Sequence, residues 1–126
     1  MDTNKKKVVV VEDDEHISKV YEIKLAKENI NTMVAQDGEE AVTMITAEKP
    51  DLIILDLMVP NKDGFGVLED IKKDPVLAKI PVIVLSNLGQ KKDQDRAFAL
   101  GVNEYLVKMD YSIQDIIDKV KGYLGK

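Results

Sequence analysis

The stretch Asp51-Leu52-Ile53-Ile54-Leu55-Asp56 decides the fold. Four large apolar residues run without a break and end on a carboxylate, with Lys49-Pro50 before them and the turn-rich Pro60 to Gly64 after. An apolar run this short, bounded by turn residues, fits a strand covered on both faces, as at the centre of a parallel sheet. Asp56 then stands at the carboxyl end of a central strand. In an open parallel sheet that edge is where ligands collect, because helices leaving to opposite faces open a crevice there.

The flanking segments extend the pattern in both directions. Upstream, Lys7 to Val11 carries Val8-Val9-Val10-Val11, a second buried strand by its β-branched content, and runs into Glu12-Asp13-Asp14-Glu15. A helix is predicted from about Glu15 to Glu28, with Ile17, Val20, Tyr21 and Leu25 as its buried face and Asn29 closing it. Ile30 to Ala35 reads as a strand diluted by Asn31 and Thr32. Asp37-Gly38 is a turn, and a helix from about Glu39 to Glu48 buries Ala41, Val42 and Ile45 before Lys49-Pro50 ends it. Downstream, a proline- and Asp-Gly-punctuated loop leads to a helix starting near Gly64, which turns Leu68 and Ile71 inward and stops before Asp74-Pro75. Ile80 to Ser86 is a strand with Pro81 at its entry. The largely polar segment Lys91 to Leu100 is a helix capped by Gly101, and Glu104 to Val107 a short strand ending at Lys108. The last helix has Ser112 as N-cap and buries Ile113, Ile116, Ile117, Val120 and Leu124.

Five strands alternating with five helices imply right-handed parallel crossovers, hence an α/β, doubly wound five-stranded parallel sheet. At 126 residues the chain has length for one core, and we expect a single domain over residues 1–126. No apolar run approaches the ~20 residues of a membrane span. The polar, basic lead-in Met1 to Lys7 has no export-signal character, so a cytoplasmic protein is expected. Zero cysteines exclude disulfides, cysteine-based zinc sites and thiol catalysis. With 18 basic and 23 acidic side chains, the net charge of −5 argues against direct nucleic-acid binding, and Lys5 to Lys7 read as a solvated lead-in to a strand.

The architecture brings the strand ends Glu12/Asp13, Asp56, Ser86 and Lys108 to one edge. Asp14 and Glu15 are accounted for by a helix start, where acids suit the dipole. Glu12 and Asp13 are not: like charges crowded at a strand end are relieved by a cation. His16, the only histidine, lacks a second ligand-type histidine and reads as an exposed first-turn residue. Three carboxylates, a hydroxyl and an ammonium fit a hard divalent ion such as Mg²⁺ beside a phosphoryl group. In that chemistry Asp56 is the nucleophile, Lys108 neutralises developing charge, and Ser86 donates to a phosphoryl oxygen.

From Val8 to Leu124 the chain resembles a receiver domain of bacterial two-component response regulators, of the chemotaxis-regulator type. The resemblance rests jointly on Val-Val-Glu-Asp-Asp at 10–14, Leu-Asp-Leu-Met-Val-Pro-Asn-Lys-Asp-Gly at 55–64, Ile-Pro-Val-Ile-Val-Leu-Ser at 80–86, and Gly101 through Tyr105 to Lys108. It implies a flavodoxin-like strand order 2-1-3-4-5, Asp56 as phosphoacceptor, and Mg²⁺ held by Glu12, Asp13, Asp56 and the backbone carbonyl of Met58. It further implies that Ser86 and Tyr105 switch on phosphorylation, with the fourth helix, fifth strand and last helix as output face. The implied partners are a sensor histidine kinase or phosphotransfer protein and a downstream protein target; the implied state is a monomer or a phosphorylation-dependent dimer. The chain is then no enzyme beyond its own phosphoryl transfer and slow autodephosphorylation.

One departure is the residue after Lys108. The resembling family usually has a cis proline there, whereas this chain has Met109, so the bond is either trans with a rerouted loop or a strained non-proline cis bond. Competing readings fare worse. An Asp-nucleophile phosphohydrolase wants a second carboxylate two residues after the first, where Met58 stands. A flavin or nucleotide module needs an anion-binding loop after the first strand, where Glu12-Asp13-Asp14-Glu15 repels phosphate. The remaining alternative is a pseudo-receiver acting only as a protein-interaction module, against which the intact acidic set argues.

Overall fold

In the computed structural model, which describes residues 5–126, the runs Val8-Val9-Val10-Val11 and Leu52-Ile53-Ile54-Leu55 lie side by side with no side chain more than 2% exposed. The first four residues of the predicted lead-in lie outside the described residues. In chain order the elements are β1 (Lys7–Val11), α1 (Glu15–Lys27), β2 (Asn31–Ala35), α2 (Gly38–Glu48), β3 (Leu52–Leu55) and α3 (Gly64–Lys72). They continue with β4 (Val82–Ser86), α4 (Lys91–Ala99), β5 (Glu104–Val107) and α5 (Ile113–Leu124), with 3-10 turns at Leu77–Lys79 and Lys108–Asp110. All strand pairs are parallel, in the order β2-β1-β3-β4-β5. The flavodoxin-like sheet expected from the resemblance is therefore present.

Because alternate side chains of a strand point to opposite faces, each covered strand feeds two cores. Val9, Val11, Ile53 and Leu55 pack with Ile45 of α2, Leu68 of α3 and Ala97 of α4. Val8, Val10, Leu52 and Ile54 pack with Leu25 of α1 and Ile117 of α5. Among the described residues no helix is long and apolar enough to cross a membrane.

Most corrections to the sequence reading fall at element ends. Ile30 is buried but lies in the turn that closes α1, its N–H donating to Leu25 O, so β2 begins at Asn31. Asp37 is not a loose turn residue but the N-cap of α2, and the helix begins at Gly38. One expected core residue is outside: Val20 is 37% exposed, because α1 turns Ser18, Tyr21 and Leu25 inward, a stripe at i, i+3, i+7 that carries Val20 past its edge. Ile17, Val42 and Ile113 are half-buried at the margins of the cores they were expected to enter.

Thr32 Oγ1 is buried in β2 without a hydrogen-bond partner. A buried hydroxyl left unpaired costs about 1–3 kcal/mol of desolvation with nothing returned. Thr32→Val, which keeps the β-branched shape, is expected to raise stability by about 1 kcal/mol. Urea denaturation at unchanged m-value reads this directly, and a midpoint that stays or falls contradicts it.

Candidate functional site

Strand register assembles the site before any side chain is considered. Val11 pairs with Leu55, so the residues that follow, Glu12 and Asp56, emerge side by side at the carboxyl edge. Their backbones continue the ladder: Glu12 N donates to Ala35 O and Asp56 N to Val11 O. Ser86 pairs with Val107 on the other side, which brings Lys108 out at the same edge.

Lys108 reaches across it. Its Nζ donates to Glu12 Oε2 at 2.7 Å and to Asp56 Oδ2 at 2.8 Å. Both acids are buried, Glu12 at 3% exposure and Asp56 at 7%. Their second oxygens accept from backbone: Asp14 N–H to Glu12 Oε1 at 3.1 Å and Met58 N–H to Asp56 Oδ1 at 3.0 Å. Asp13 is exposed, and oxygens of Glu12, Asp13 and Asp56 lie within 4.8 Å of one another. Asp14 instead caps α1, accepting from the N–H groups of His16 and Ile17, which leaves His16 an exposed first-turn residue. The acidic block thus divides: Glu12 and Asp13 lie with Asp56 at the strand edge, while Asp14 and Glu15 start the helix.

Burial pushes the Glu12 carboxyl up, and the hydrogen bond and charge of Lys108 together with the Asp14 N–H only partly oppose it. For Lys108 burial acts downward, but hydrogen bonds and charge from Asp56 and Glu12 outweigh it and hold the ammonium above the usual lysine range. Three carboxylates against one ammonium leave two negative charges uncompensated. A compact set of hard oxygen donors with that deficit fits a divalent ion of the Mg²⁺ kind.

Ser86 and Tyr105 meet at the β4–α4 loop. Ser86 is fully buried, and its Oγ accepts from Leu88 N–H at 3.2 Å. Tyr105, half-buried, donates its hydroxyl to Leu88 O. Burial first, then the charges of Asp93 and Asp56, push the phenol up, with Ser86 opposing. Both backbone groups of Leu88 are therefore engaged by the two residues singled out from the sequence. Sequence reasoning missed this node because it is made of main-chain atoms, which carry no residue-type signal. The Met58 side chain is 59% exposed at the mouth of the site.

Beyond Lys108 no described peptide bond is cis, so the Lys108–Met109 bond is trans. The chain makes a 3-10 turn over Lys108–Asp110, and Ser112 and Asp115 form a reciprocal capping box that starts α5. Of the two bond geometries open at Met109, the trans one is observed.

Residues 8–121 match the family model described as the response regulator receiver domain. A probable transcriptional regulator, ycf27, of Cyanophora paradoxa is 36% identical over all of this chain and 51% of its own length. The chain spans about half the length of the curated relatives it matches. The Mn²⁺-bound form of the response regulator Rcp1 superposes with a TM-score of 0.78 at 32% identity, covering 93% of this chain and 90% of that one. The phosphorylated cyanobacterial phytochrome response regulator RcpA gives a TM-score of 0.84 at 32% identity over 97% and 95% of the two chains.

Replacing Lys108 by Met removes the cation that two buried carboxylates share, which is expected to cost about 3 kcal/mol at neutral pH, the lower end for breaking a buried pair. Glu12 then loses its main opposing influence, and its folded-state pKa moves further above the unfolded value. A raised folded pKa gives stability present below the unfolded value and lost as pH rises through the folded one. The Lys108→Met penalty must therefore grow from the ordinary glutamate range toward neutrality. Urea titrations across that range check it, and a penalty independent of pH contradicts it.

Proposed function

The chain belongs to the response regulator receiver domain family, and we propose that it is the phosphoacceptor of a two-component phosphorelay, taking a phosphoryl group onto Asp56. The observation that carries the reading is the placement of one Asp56 oxygen on Lys108 Nζ and the other on Met58 N–H, at a strand end flanked by Glu12 and Asp13.

An Asp56 oxygen attacks phosphorus as the bond to the donor breaks, forming an acyl phosphate and releasing the donor's nitrogen or oxygen as leaving group. Lys108, already on Asp56, stabilises the negative charge spreading over the phosphoryl oxygens. Glu12, Asp13, Asp56 and the Met58 carbonyl are the groups that would hold Mg²⁺, which when bound supplies further positive charge to those oxygens. The Ser86 hydroxyl turns to donate to a phosphoryl oxygen. That weakens its bond to Leu88 N–H, and Tyr105, tied to Leu88 O, follows the β4–α4 loop.

The face of α4, β5 and α5 then meets a downstream protein in the cytoplasm, and a sensor histidine kinase or phosphotransfer protein supplies the phosphoryl group. The protein is a monomer or dimerises on phosphorylation, catalyses only its own phosphorylation and slow dephosphorylation, and touches neither nucleic acid nor membrane through this domain. A pseudo-receiver role has no observation in its favour.

Incubation with acetyl phosphate and Mg²⁺ is expected to add one phosphoryl mass to the parent and none to Asp56→Asn; a full shift in the variant sinks the assignment. The lifetime follows from the side chains two residues beyond Asp56 and Ser86. Met58 and Leu88 are apolar and cannot orient an attacking water, so the acyl phosphate is expected to decay slowly for a receiver. Met58→Asn and Leu88→Glu should shorten its half-life several-fold in a decay series, and unchanged decay overturns this.

A further inference from the structure

The loop from Leu57 to Gly64 carries the backbone beside the reactive carboxylate, and it is fastened at three places. At its head Met58 N–H is bonded to Asp56. At its foot Gly64 N–H donates to Leu57 O at 3.0 Å, an approach so close that a Cβ at Gly64 would stand 2.6 Å from Leu57 Cα. Its middle is held by α2, an element with no group in the site. Gly38 N–H donates to Pro60 O at 3.3 Å, and Asn61 Nδ2 donates to Asp37 Oδ2 at 2.9 Å while the other Asp37 oxygen caps α2 through Glu40 N–H at 2.8 Å. Both partners are specialised for the contact. Asn61 sits at φ 70°, the left-handed region that asparagine tolerates, and a Cβ on Gly38 would fall 1.7 Å from Lys62 O. Hydrogen bonds from Glu40 N–H and then from Asn61 hold the Asp37 carboxyl below its usual range, so the contact is between a charged acceptor and an amide.

We propose that the Asp37–Asn61 contact is a brace that sets the position of the Met58 segment, making both positioning residues for the cation affinity of the Asp56 site. The proposal rests on the reading of Met58 as a main-chain oxygen ligand. Met58 is three residues from Asn61 and two from Pro60, so releasing the middle of the loop lets the Met58 amide leave Asp56 and its carbonyl turn away. Positions that support a metal ligand from outside the ligand set commonly cost tenfold or more in affinity when lost.

The test is a charge-balanced swap. Asn61→Asp sets carboxylate against carboxylate at the brace. Adding Asp37→Asn restores one donor and one acceptor, keeps a good N-cap and returns the net charge to that of the parent. Calorimetric titration with Mg²⁺ should show about tenfold weaker binding for Asn61→Asp, although the added negative charge by itself favours a cation. The double variant should recover parental affinity. In metal-free protein the amide resonance of Met58 should move in the single variant and return in the double. Equal Mg²⁺ affinity in all three, or a double variant no better than the single, overturns the brace. If the parent itself binds no Mg²⁺, the ligand reading fails, and the Met58 resonance still decides the brace: no shift in Asn61→Asp refutes it. Melting temperatures within a few degrees of one another establish that all variants compared are folded.

Discussion

Two carboxylates buried at neighbouring strand ends share one ammonium, and the site exists on those terms. Left alone, Glu12 and Asp56 would repel each other in a setting that water hardly reaches, and burial already drives Glu12 toward its neutral form. Lys108 offsets that repulsion, and it comes from the far side of β4, ninety-six residues from Glu12 in sequence. Only a sheet in which β1, β3, β4 and β5 end together can bring the three to one edge. The stability of the domain and the chemistry of its edge are thus coupled: strand register is what sets the two carboxylates against the one ammonium.

That dependence explains what could be read from the sequence. Val8 to Val11 and Leu52 to Leu55 are covered on both faces, so their composition is unbroken and unambiguous, and once they are parallel neighbours the edge residues follow by counting. Ser86 was legible as a hydroxyl on that edge, but Tyr105 and the switch role of both came only through family resemblance, because a hydroxyl at a strand end has many ordinary uses. Val20 was misplaced because the inward stripe of α1 includes Ser18, a polar residue that an apolar pattern does not count. The Leu88 node and the Gly38–Lys62 approach were invisible for a different reason: they involve main-chain atoms, whose partners depend on loop geometry and not on residue type.

The loops divide the work. The β5–α5 turn, with Met109 in place of proline, reaches the start of α5 by a trans 3-10 turn and leaves Lys108 bonded to both acids. The β4–α4 loop is tied at Leu88 to two side-chain hydroxyls, those of Ser86 and Tyr105, and under the proposed function it is the segment that moves. The β3–α3 loop is fastened at head, foot and middle, so it is the segment built to stay. A site that is rigid beside its nucleophile and yielding beside its hydroxyl can convert a covalent change at one carboxylate into a displacement elsewhere.

The central claim is that Asp56 becomes an acyl phosphate. Borohydride reduces an acyl phosphate, but not a free carboxylate, to an alcohol, converting the modified aspartate to homoserine. After exposure of the unmutated protein to acetyl phosphate and Mg²⁺, then borohydride, peptide sequencing by mass spectrometry should find homoserine at position 56 and leave Glu12 and Asp13 unchanged. Aspartate persisting at 56, or reduction at Asp13 instead, contradicts the account.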